Sequence, residues 1–496
     1  MEQTQRNRLS SAQREALQQT LKQSWQDMYV LTKPEEIIPY ECDGLAAYRE
    51  IPLVVVLPET EAQVQRVLQT CKQMNIPVVP RGAGTGLAGS AMPIPDGVVL
   101  SMAKFNRILE VNQQARTATV QPGVRNLAIS EAAAQYQLYY APDPSSQIAC
   151  TIGGNVAENS GGVHCLKYGL TVNNVLKVRA VTIDGDIVEF GSRAPDAPGL
   201  DLLGVLIGSE GMFCVTTEVV VKLVPKPQLA QVIIASFDDM GKAGDAVAAI
   251  IAAGIIPAGL EMMDGPATQA AEDFLHACYD TTAKAILLCE SDGTPEEVAE
   301  EIAHMEEVLN GCGATRIQVS RNEIERLVFW SGRKNAFPAA GRLSPDYYCM
   351  DGTIPRRSIG SLLRSIEEME KKYRLRCINV FHAGDGNMHP LVLFDGQDQD
   401  EWHRAEAFGA DILEECVRLG GTVTGEHGVG IEKINSMCVQ FTELERDAFW
   451  SVKFAFDPTG LLNFDKAIPT RNRCAEYGRL VVRRGETLPH PELSRF

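Results

Sequence analysis

Apolar residues in this chain recur at two spacings, and the changes between them mark out its elements. After the capping-box sequence Ser10-Ser11-Ala12-Gln13, Leu17, Leu21, Trp25 and Met28 follow at helical intervals, predicting an appended helix over residues 10–28. Residues 52–58 form a short apolar run. Thr60-Glu61-Ala62-Gln63 then opens a helix with Val64, Val67, Leu68 and Cys71 on one face, and residues 76–80 are a second apolar run. This order predicts a strand-helix-strand unit, joined by a further strand over 98–102. Residues 116–121 alternate as a strand, Pro122-Gly123 turns it, and a short helix follows to about Tyr136. Runs at 175–182 and 186–190 flank Asp184-Gly185 and predict a hairpin, and 215–223 reads as a last strand.

Beyond Pro225-Lys226-Pro227 the pattern changes. Strand patterns at 231–236, 259–263, 285–290 and 315–319 alternate with helical ones at 242–253, 267–278 and 295–309, which predicts a ferredoxin-like α+β sheet. A final helix is expected near 443–454. The divisions expected are an N-terminal extension over 1–45, a first domain over 46–226, a second over 227–440 and a C-terminal segment over 441–496.

Length agrees with that division, since single cores rarely grow past roughly 250–300 residues and the chain has 496. A net charge of −18 argues against nucleic acid and against docking on anionic lipid, although a local arginine or metal can still attract an anionic substrate. The first twenty residues are too polar for a secretory signal, and the apolar run 246–260 is broken by Gly254 and Pro257 and is too short to span a membrane. The thirteen cysteines are scattered without a Cys-x-x-Cys. They read as reduced thiols of a cytoplasmic protein, and they hold no iron–sulfur cluster.

Candidate chemistry concentrates in glycine-rich loops. In Phe381-His382-Ala383-Gly384-Asp385-Gly386-Asn387-Met388-His389-Pro390, the Asp385-Gly386 pair predicts a two-residue hairpin that sets His382 opposite His389. Opposed Cβ atoms lie about 4.5–5.5 Å apart, close enough for two imidazoles to share a metal. The same residues also suit a surface hairpin with two incidental histidines. The second loop, Gly421 to Gly430, offers Glu426 and His427. Earlier in the chain, Arg81-Gly82-Ala83-Gly84-Thr85-Gly86-Leu87-Ala88-Gly89 carries a G-x-G-x-x-G spacing, but Pro93, Pro95 and another strand follow instead of a helix. It is therefore not a Rossmann turn. It suits either an anion nest for a pyrophosphate or a flexible surface loop. A second Gly/Asn/Ser-rich stretch, 151–162, reads as a buried loop lining a flat ligand, because apolar residues separate its glycines.

Taken together, Arg81-Gly-Ala-Gly-Thr-Gly86, Ile152-Gly-Gly-Asn-Val156, Gly208-Ser-Glu-Gly211, His382-x-x-Gly-Asp-Gly-Asn-x-His389, Gly425-Glu-His-Gly428 and Asp457-Pro-x-Gly-x-x-Asn463 resemble the FAD-linked oxidases. These are vanillyl-alcohol-oxidase-like flavoproteins with a D-2-hydroxy-acid dehydrogenase C-terminal half. Ile38–Gly44, Tyr139–Ser146 and Asp346–Pro355 further resemble the branch that supplies FAD-binding subunits to bacterial glycolate oxidase complexes. The resemblance implies an α+β fold, with a two-part FAD-binding domain, a ferredoxin-like substrate (cap) domain, and a C-terminal segment returning to the flavin. It implies FAD held by Arg81, Gly82, Ala83, Gly84, Thr85, Gly86, Pro144, Ser145, Thr151, Gly153, Gly154, Asn155, Val156 and Asn463, with Glu210 and Gly211 on the adenosine side. It further implies a divalent metal (Zn, Mn or Fe) on His382, His389 and Glu426, His427 as the base, and Arg333 on the substrate carboxylate.

Relatives acting on 2-hydroxyglutarate carry a threonine near Phe337 and a lysine near Cys349 for a distal carboxylate. Both positions here are apolar or small, which implies a short substrate, glycolate or D-lactate. The implied partners are an iron–sulfur subunit and a second flavoprotein-like subunit, with peripheral membrane association through them, and the helix bearing Trp25 is one candidate contact. The alternatives are a D-2-hydroxy-acid dehydrogenase acting alone, a metal-dependent hydrolase, and a non-redox relative of the ether-lipid synthase kind.

Overall fold

The structure is a computed structural model and describes residues 8–194, 199–470 and 473–474. The first helix, Ser11–Ser24, begins with both halves of the Ser10/Gln13 capping box in place. Its apolar stripe is internal. Leu21 and Trp25 are fully buried against Leu53, Val54 and Val64. The Trp25 indole is thus spent on the core, so a partner contact by this helix would have to use its exposed face.

Two sheets follow. In the first, Tyr29–Leu31, Val54–Leu57, Val98–Ser101 and Val78–Arg81 lie in that order, the last three mutually parallel. Parallel pairing needs a crossover, and the helix Glu61–Gln73 supplies it, capped by Thr60 and burying Val64, Val67, Leu68 and Cys71. The second sheet is antiparallel, in the order Ile108–Asn112, Thr117–Val120, Val215–Lys222, Val175–Val181 and Ile187–Gly191.

The third sheet has seven antiparallel strands, in the order Arg316–Val319, Leu229–Phe237, Ala285–Gly293, Gly259–Asp264, Cys377–Phe381, Pro390–Phe394 and Asp346–Cys349. Its first four strands and their helices are the alternating units expected, and the strands around the histidines extend the same sheet. Both faces are covered. Leu287 and Cys289 join the core under Met240–Ala252, Pro295–Gly311, Ile359–Tyr373 and Gln399–Arg418, whereas Ile286 and Leu288 face Gly265–Leu275 and Glu323–Lys334. The period-two alternation thus becomes one α/β/α sandwich. Among the described residues, no helix is long and apolar enough to cross a membrane.

Three local expectations are corrected. The histidine hairpin pairs Cys377 with Val392, Asn379 with Pro390 and His382 with Asn387, so its loop is 383–386 and His389 lies diagonal to His382, not opposite it. The shift is two residues, which leaves both imidazoles on one face. Within the 151–162 stretch, Ile152–Glu158 is a helix, ended by left-handed Asn159. Gly153 is there for closeness, since a Cβ would sit 2.5 Å from Pro122 Cβ. Finally, the cysteines are not all free thiols, for Cys438 and Cys474 form a disulfide with Cα atoms 5.5 Å apart.

The helix Glu443–Phe456 leads the chain back to the first sheet, where Val78 N–H donates to Leu461 (2.9 Å) and Asn463 N–H to Val78 (2.8 Å). Buried Lys453 secures this return, donating to Asp457 Oδ2 and Met212 O (both 2.6 Å) and Leu462 O (2.7 Å). Removing one partner of a buried ion pair costs about 3–5 kcal/mol. Lys453→Met keeps the volume and should lose that much stability in urea unfolding with an unchanged denaturant slope. A loss below about 1 kcal/mol would mean that the junction does not depend on this charge.

Candidate active site

One cavity runs between the first two sheets and the third. Its first half is lined by Arg81, Gly82, Ala83, Gly84, Thr85, Gly86, Pro144, Ser145, Thr151, Gly153, Gly154, Asn155, Glu210 and Gly211. Its far end is lined by Arg333, Phe337, His382, His389, Glu426 and His427. Two residues singled out from sequence lie behind the wall. Val156 is in the apolar core, and Asn463 donates to Ser90 O (2.9 Å) and Glu210 O (2.5 Å).

The two glycine-rich stretches touch each other. A Cβ on Gly82 would sit 2.5 Å from Thr151 Oγ1, and Gly84 has φ +71°, where a side chain would also run into the Arg81 guanidinium. The Thr151 hydroxyl is buried without a hydrogen-bond partner. Glu210 accepts hydrogen bonds from Val429 N–H (2.7 Å), Gly430 N–H (2.8 Å) and Ser90 Oγ (2.8 Å), so it ties the loop bearing His427 to the first half of the cavity. Burial and the charge of Glu210 push the neighbouring Glu158 well above the ordinary carboxylate range.

At the far end two imidazoles converge on one carboxylate oxygen. Glu426 Oε1 is 3.3 Å from His382 Nε2 and 3.1 Å from His389 Nε2, and the two rings are 5.1 Å apart. Glu261, fully buried, pairs with the other nitrogen of His382 (Nδ1, 2.7 Å) and accepts from Arg333 Nε (2.8 Å), with Nη2 at ion-pair distance (2.6 Å) but left without a hydrogen bond. Sequence reasoning passed over Glu261 because its strand reads as core. The available signal was an ionisable residue inside Gly259-Leu260-Glu261-Met262-Met263, where burial demands a partner.

Asp351 lies within the Asp346–Pro355 motif, where sequence gives it no role, yet it is the hub of the second loop. It accepts from Gly425, Glu426 and His427 N–H (3.1, 3.2 and 3.0 Å), Thr424 Oγ1 (2.6 Å), Asn387 Nδ2 (2.9 Å) and Lys433 Nζ (3.0 Å). Burial raises its pKa, but His427, Lys433 and His389 outweigh that and hold it well below the usual range.

The His427 ring stacks on His389 at 4.9 Å, with Nδ1 buried and unpartnered. Burial pushes its pKa down to about 4, so it is neutral at pH 7. For His382 burial acts in the same direction, but Glu261 and Glu426 reverse it, so this end of the cavity favours a cation. The atoms of His382, His389 and Glu426 that could ligate one lie within 4.8 Å of one another, a donor set that fits a divalent ion.

Residues 52–191 match the family model described as FAD binding domain, and residues 226–467 match that described as FAD linked oxidases, C-terminal domain. Glycolate oxidase subunit GlcD of Escherichia coli K12 is 58% identical over 488 residues, 98% of each chain. Its Bacillus subtilis namesake is 39% identical over 86% of this chain and 90% of its own. A D-lactate dehydrogenase of Anaerostipes hadrus is 30% identical over 85% of this chain and 90% of its own. This chain belongs to the FAD-linked oxidases.

It is thus a flavoprotein and an FAD-dependent oxidoreductase. Two solved structures share the fold of this FAD-linked oxidase at low identity. They are p-cresol methylhydroxylase (TM-score 0.79, 17% identical, covering 94% of this chain and 98% of that one) and 4-ethylphenol oxidase from Gulosibacter chungangensis (0.76, 16%, 94% and 99%). The α+β, vanillyl-alcohol-oxidase-type architecture expected from the sequence is therefore the one this FAD-linked oxidase has. Its glycine-walled half-cavity fits FAD, since it offers an unsatisfied buried hydroxyl at Thr151, a guanidinium at Arg81 and walls where a methyl group has no room. Overpacking by one methyl costs about 1–3 kcal/mol. Gly82→Ala should lower flavin content, read from visible absorbance per protein, by about five-fold or more at that cost. Full flavin content in the variant would remove this contact from the cofactor site.

Proposed function

We propose that this chain oxidises a short 2-hydroxy acid, glycolate to glyoxylate and D-lactate to pyruvate, by hydride transfer to FAD, as the FAD-binding subunit of a multi-subunit glycolate oxidase. The observation that carries this reading is a single cavity in which a glycine-walled groove meets a buried arginine, a neutral histidine and a His/His/Glu set. The relatives named for glycolate oxidase and D-lactate dehydrogenase support the same substrate class.

Arg333 would bind the substrate carboxylate with the N–H groups that Glu261 leaves free, and Glu261 locks the planar fork in one orientation. His382, His389 and Glu426 would hold a divalent ion of zinc, manganese or iron. When bound, FAD supplies the hydride acceptor and the ion supplies the Lewis acid that acidifies the substrate hydroxyl. His427, kept neutral by burial, would take the hydroxyl proton at Nε2, which lies 3.9 Å from Glu426 Oε1 and so faces the metal set. Phe337 closes the cavity against His389, with ring centroids 6.4 Å apart, and burial keeps the Cys349 thiol neutral. Neither residue could pair with a second carboxylate, which favours a two- or three-carbon acid.

Reoxidation calls for an acceptor. The scattered cysteines cannot hold a cluster, so electrons would leave to an iron–sulfur subunit and a second flavoprotein-like subunit. The chain would then work in the cytoplasm, held peripherally at the inner membrane face through those partners. Purification from native cells should bring down a cysteine-rich iron–sulfur protein. If the isolated chain alone turns over glycolate with oxygen at the cellular rate, the subunit reading fails.

The deciding measurement is anaerobic addition of glycolate or D-lactate to the yellow holoprotein. The flavin bands should bleach, whereas 2-hydroxyglutarate should be a poor reductant. His427→Ala should keep its flavin and lose about 10²–10⁴-fold in reduction rate, the usual contribution of a positioned base. Bleaching at the normal rate in that variant would reassign the proton acceptor.

A further inference from the structure

Cys349 bears only on substrate length in the reaction proposed above, yet it ends the strand beside the histidines. It pairs with Leu391, which puts His389 two residues along the partner strand, on the same face. Cys349 Sγ, a nitrogen of His389 and a nitrogen of His427 lie within 4.8 Å of one another. The thiol makes only a 3.4 Å contact with Met350 O, and His427 Nδ1 is buried without a partner. All three side chains are thus close together, with two of their donor atoms little used by the protein.

We propose that Cys349, His389 and His427 form a second metal site, selective for a thiophilic divalent cation such as Zn²⁺ or Cd²⁺, whose occupation shuts the enzyme off. The donor set is of the Cys/His kind that zinc takes tetrahedrally, with Zn–S near 2.3 Å and Zn–N near 2.0–2.1 Å and water as fourth ligand. Ligands of one such ion sit closer together than the 4.8 Å that bounds the present separations. The two imidazoles are also nearly parallel, with 10° between their planes. The site therefore closes by rotation of the His427 ring, which no bond to Nδ1 restrains, and of the short Cys349 side chain. On binding, the cation displaces the thiol proton to solvent, and no redox change occurs.

Neighbouring charge does not oppose the cation. Lys433 Nζ is neutralised by Asp351 at 3.0 Å, and Asp351 Oδ1 lies 3.9 Å from His389 Nδ1. The two sets share His389, whose neutral ring ligates one ion at a time, so occupation of this site excludes the His382/His389/Glu426 set, and softness decides between them, since a thiolate favours zinc and cadmium where a carboxylate favours manganese. The inhibitory consequence rests on His427 as proton acceptor, because the ion would occupy that imidazole. The binding itself does not depend on that assignment.

The test uses the FAD-loaded protein with Zn²⁺ as probe, read by X-ray absorption at the zinc edge and by glycolate-dependent dye reduction. Wild-type protein given zinc in excess of any resident ion should show a sulfur scatterer at about 2.3 Å. Its turnover should fall and return on adding chelator. Cys349→Ser, with Cys349→Ala as a second variant should the buried hydroxyl impair folding, should lose the sulfur scatterer and, measured against its own zinc-free turnover, need about 100-fold more zinc for the same fractional inhibition. That factor is set at the upper end of the loss seen on removing a mere supporting contact to a metal ligand. No sulfur at the zinc, or sulfur that persists in both variants through another thiol such as exposed Cys278, would overturn the site. Sulfur bound through Cys349 without loss of turnover would leave the site standing and overturn the inhibition. A protein inactive on every 2-hydroxy acid would defeat the function proposed above, while the absorption measurement would still decide the site.

Discussion

Asp351 has no access to water, and a carboxylate taken out of water costs several kcal/mol unless its oxygens are matched by donors. Here the matching is done by both histidine loops at once. Asn387 comes from the first, the amides of Gly425, Glu426 and His427 come from the second, and Lys433 adds the counter-charge. Two loops with little regular structure are therefore fixed relative to each other by one anion. The positions of His389, Glu426 and His427 follow from it. A looser arrangement would leave a buried charge short of partners, so the loops have one favourable conformation.

The rest of the cavity is assembled by the same means, with buried acids drawing together segments distant in sequence. Glu261 reaches Arg333 and His382, and Glu210 reaches Val429, Gly430 and Ser90. His164 lies between Asp143 (2.7 Å) and Glu290 (3.1 Å), and Glu290 also takes Arg326 and the Trp330 indole. Trp330 and Arg333 share the helix Glu323–Lys334. The loop next to Pro144 and Ser145 is thereby tied to the helix that presents the arginine. The Glu210 bonds to Val429 and Gly430 and the His164–Glu290 contact cross from the loops of the first two sheets to the part of the chain built on the third, and apolar packing alone would not define such a junction so narrowly.

The overall charge of −18 says little about the cavity. What counts locally is that two imidazoles face Glu426 and Glu261, an arrangement that attracts a cation, while a few ångströms away burial leaves His427 uncharged. Neighbouring histidines with opposite preferences suit one to ligation and the other to proton transfer. Residue type does not distinguish them. Partner carboxylates and access to water do.

Periodicity along the chain was enough to locate most strands and helices up to residue 319 and the helix near 443–454, since alternation and helical stripes depend only on neighbours in sequence, but it left the helices Glu323–Lys334, Ile359–Tyr373 and Gln399–Arg418 unread. It located the histidine pair on one face even though the hairpin register was off by two, because side chains in a strand repeat every two residues. It also brought out the glycine loops and the branch of chemistry they resemble. Local pattern did not reveal that Gly153 and Gly154 sit in a helix, where the first is needed for contact with Pro122, or that Cys438 meets Cys474. Nor did it identify Glu261, Asp351 and Lys433 as the supports of the site. Each of these depends on which distant segment arrives beside it, and a buried charge or a missing Cβ acquires its meaning only from the atoms that tertiary packing places against it.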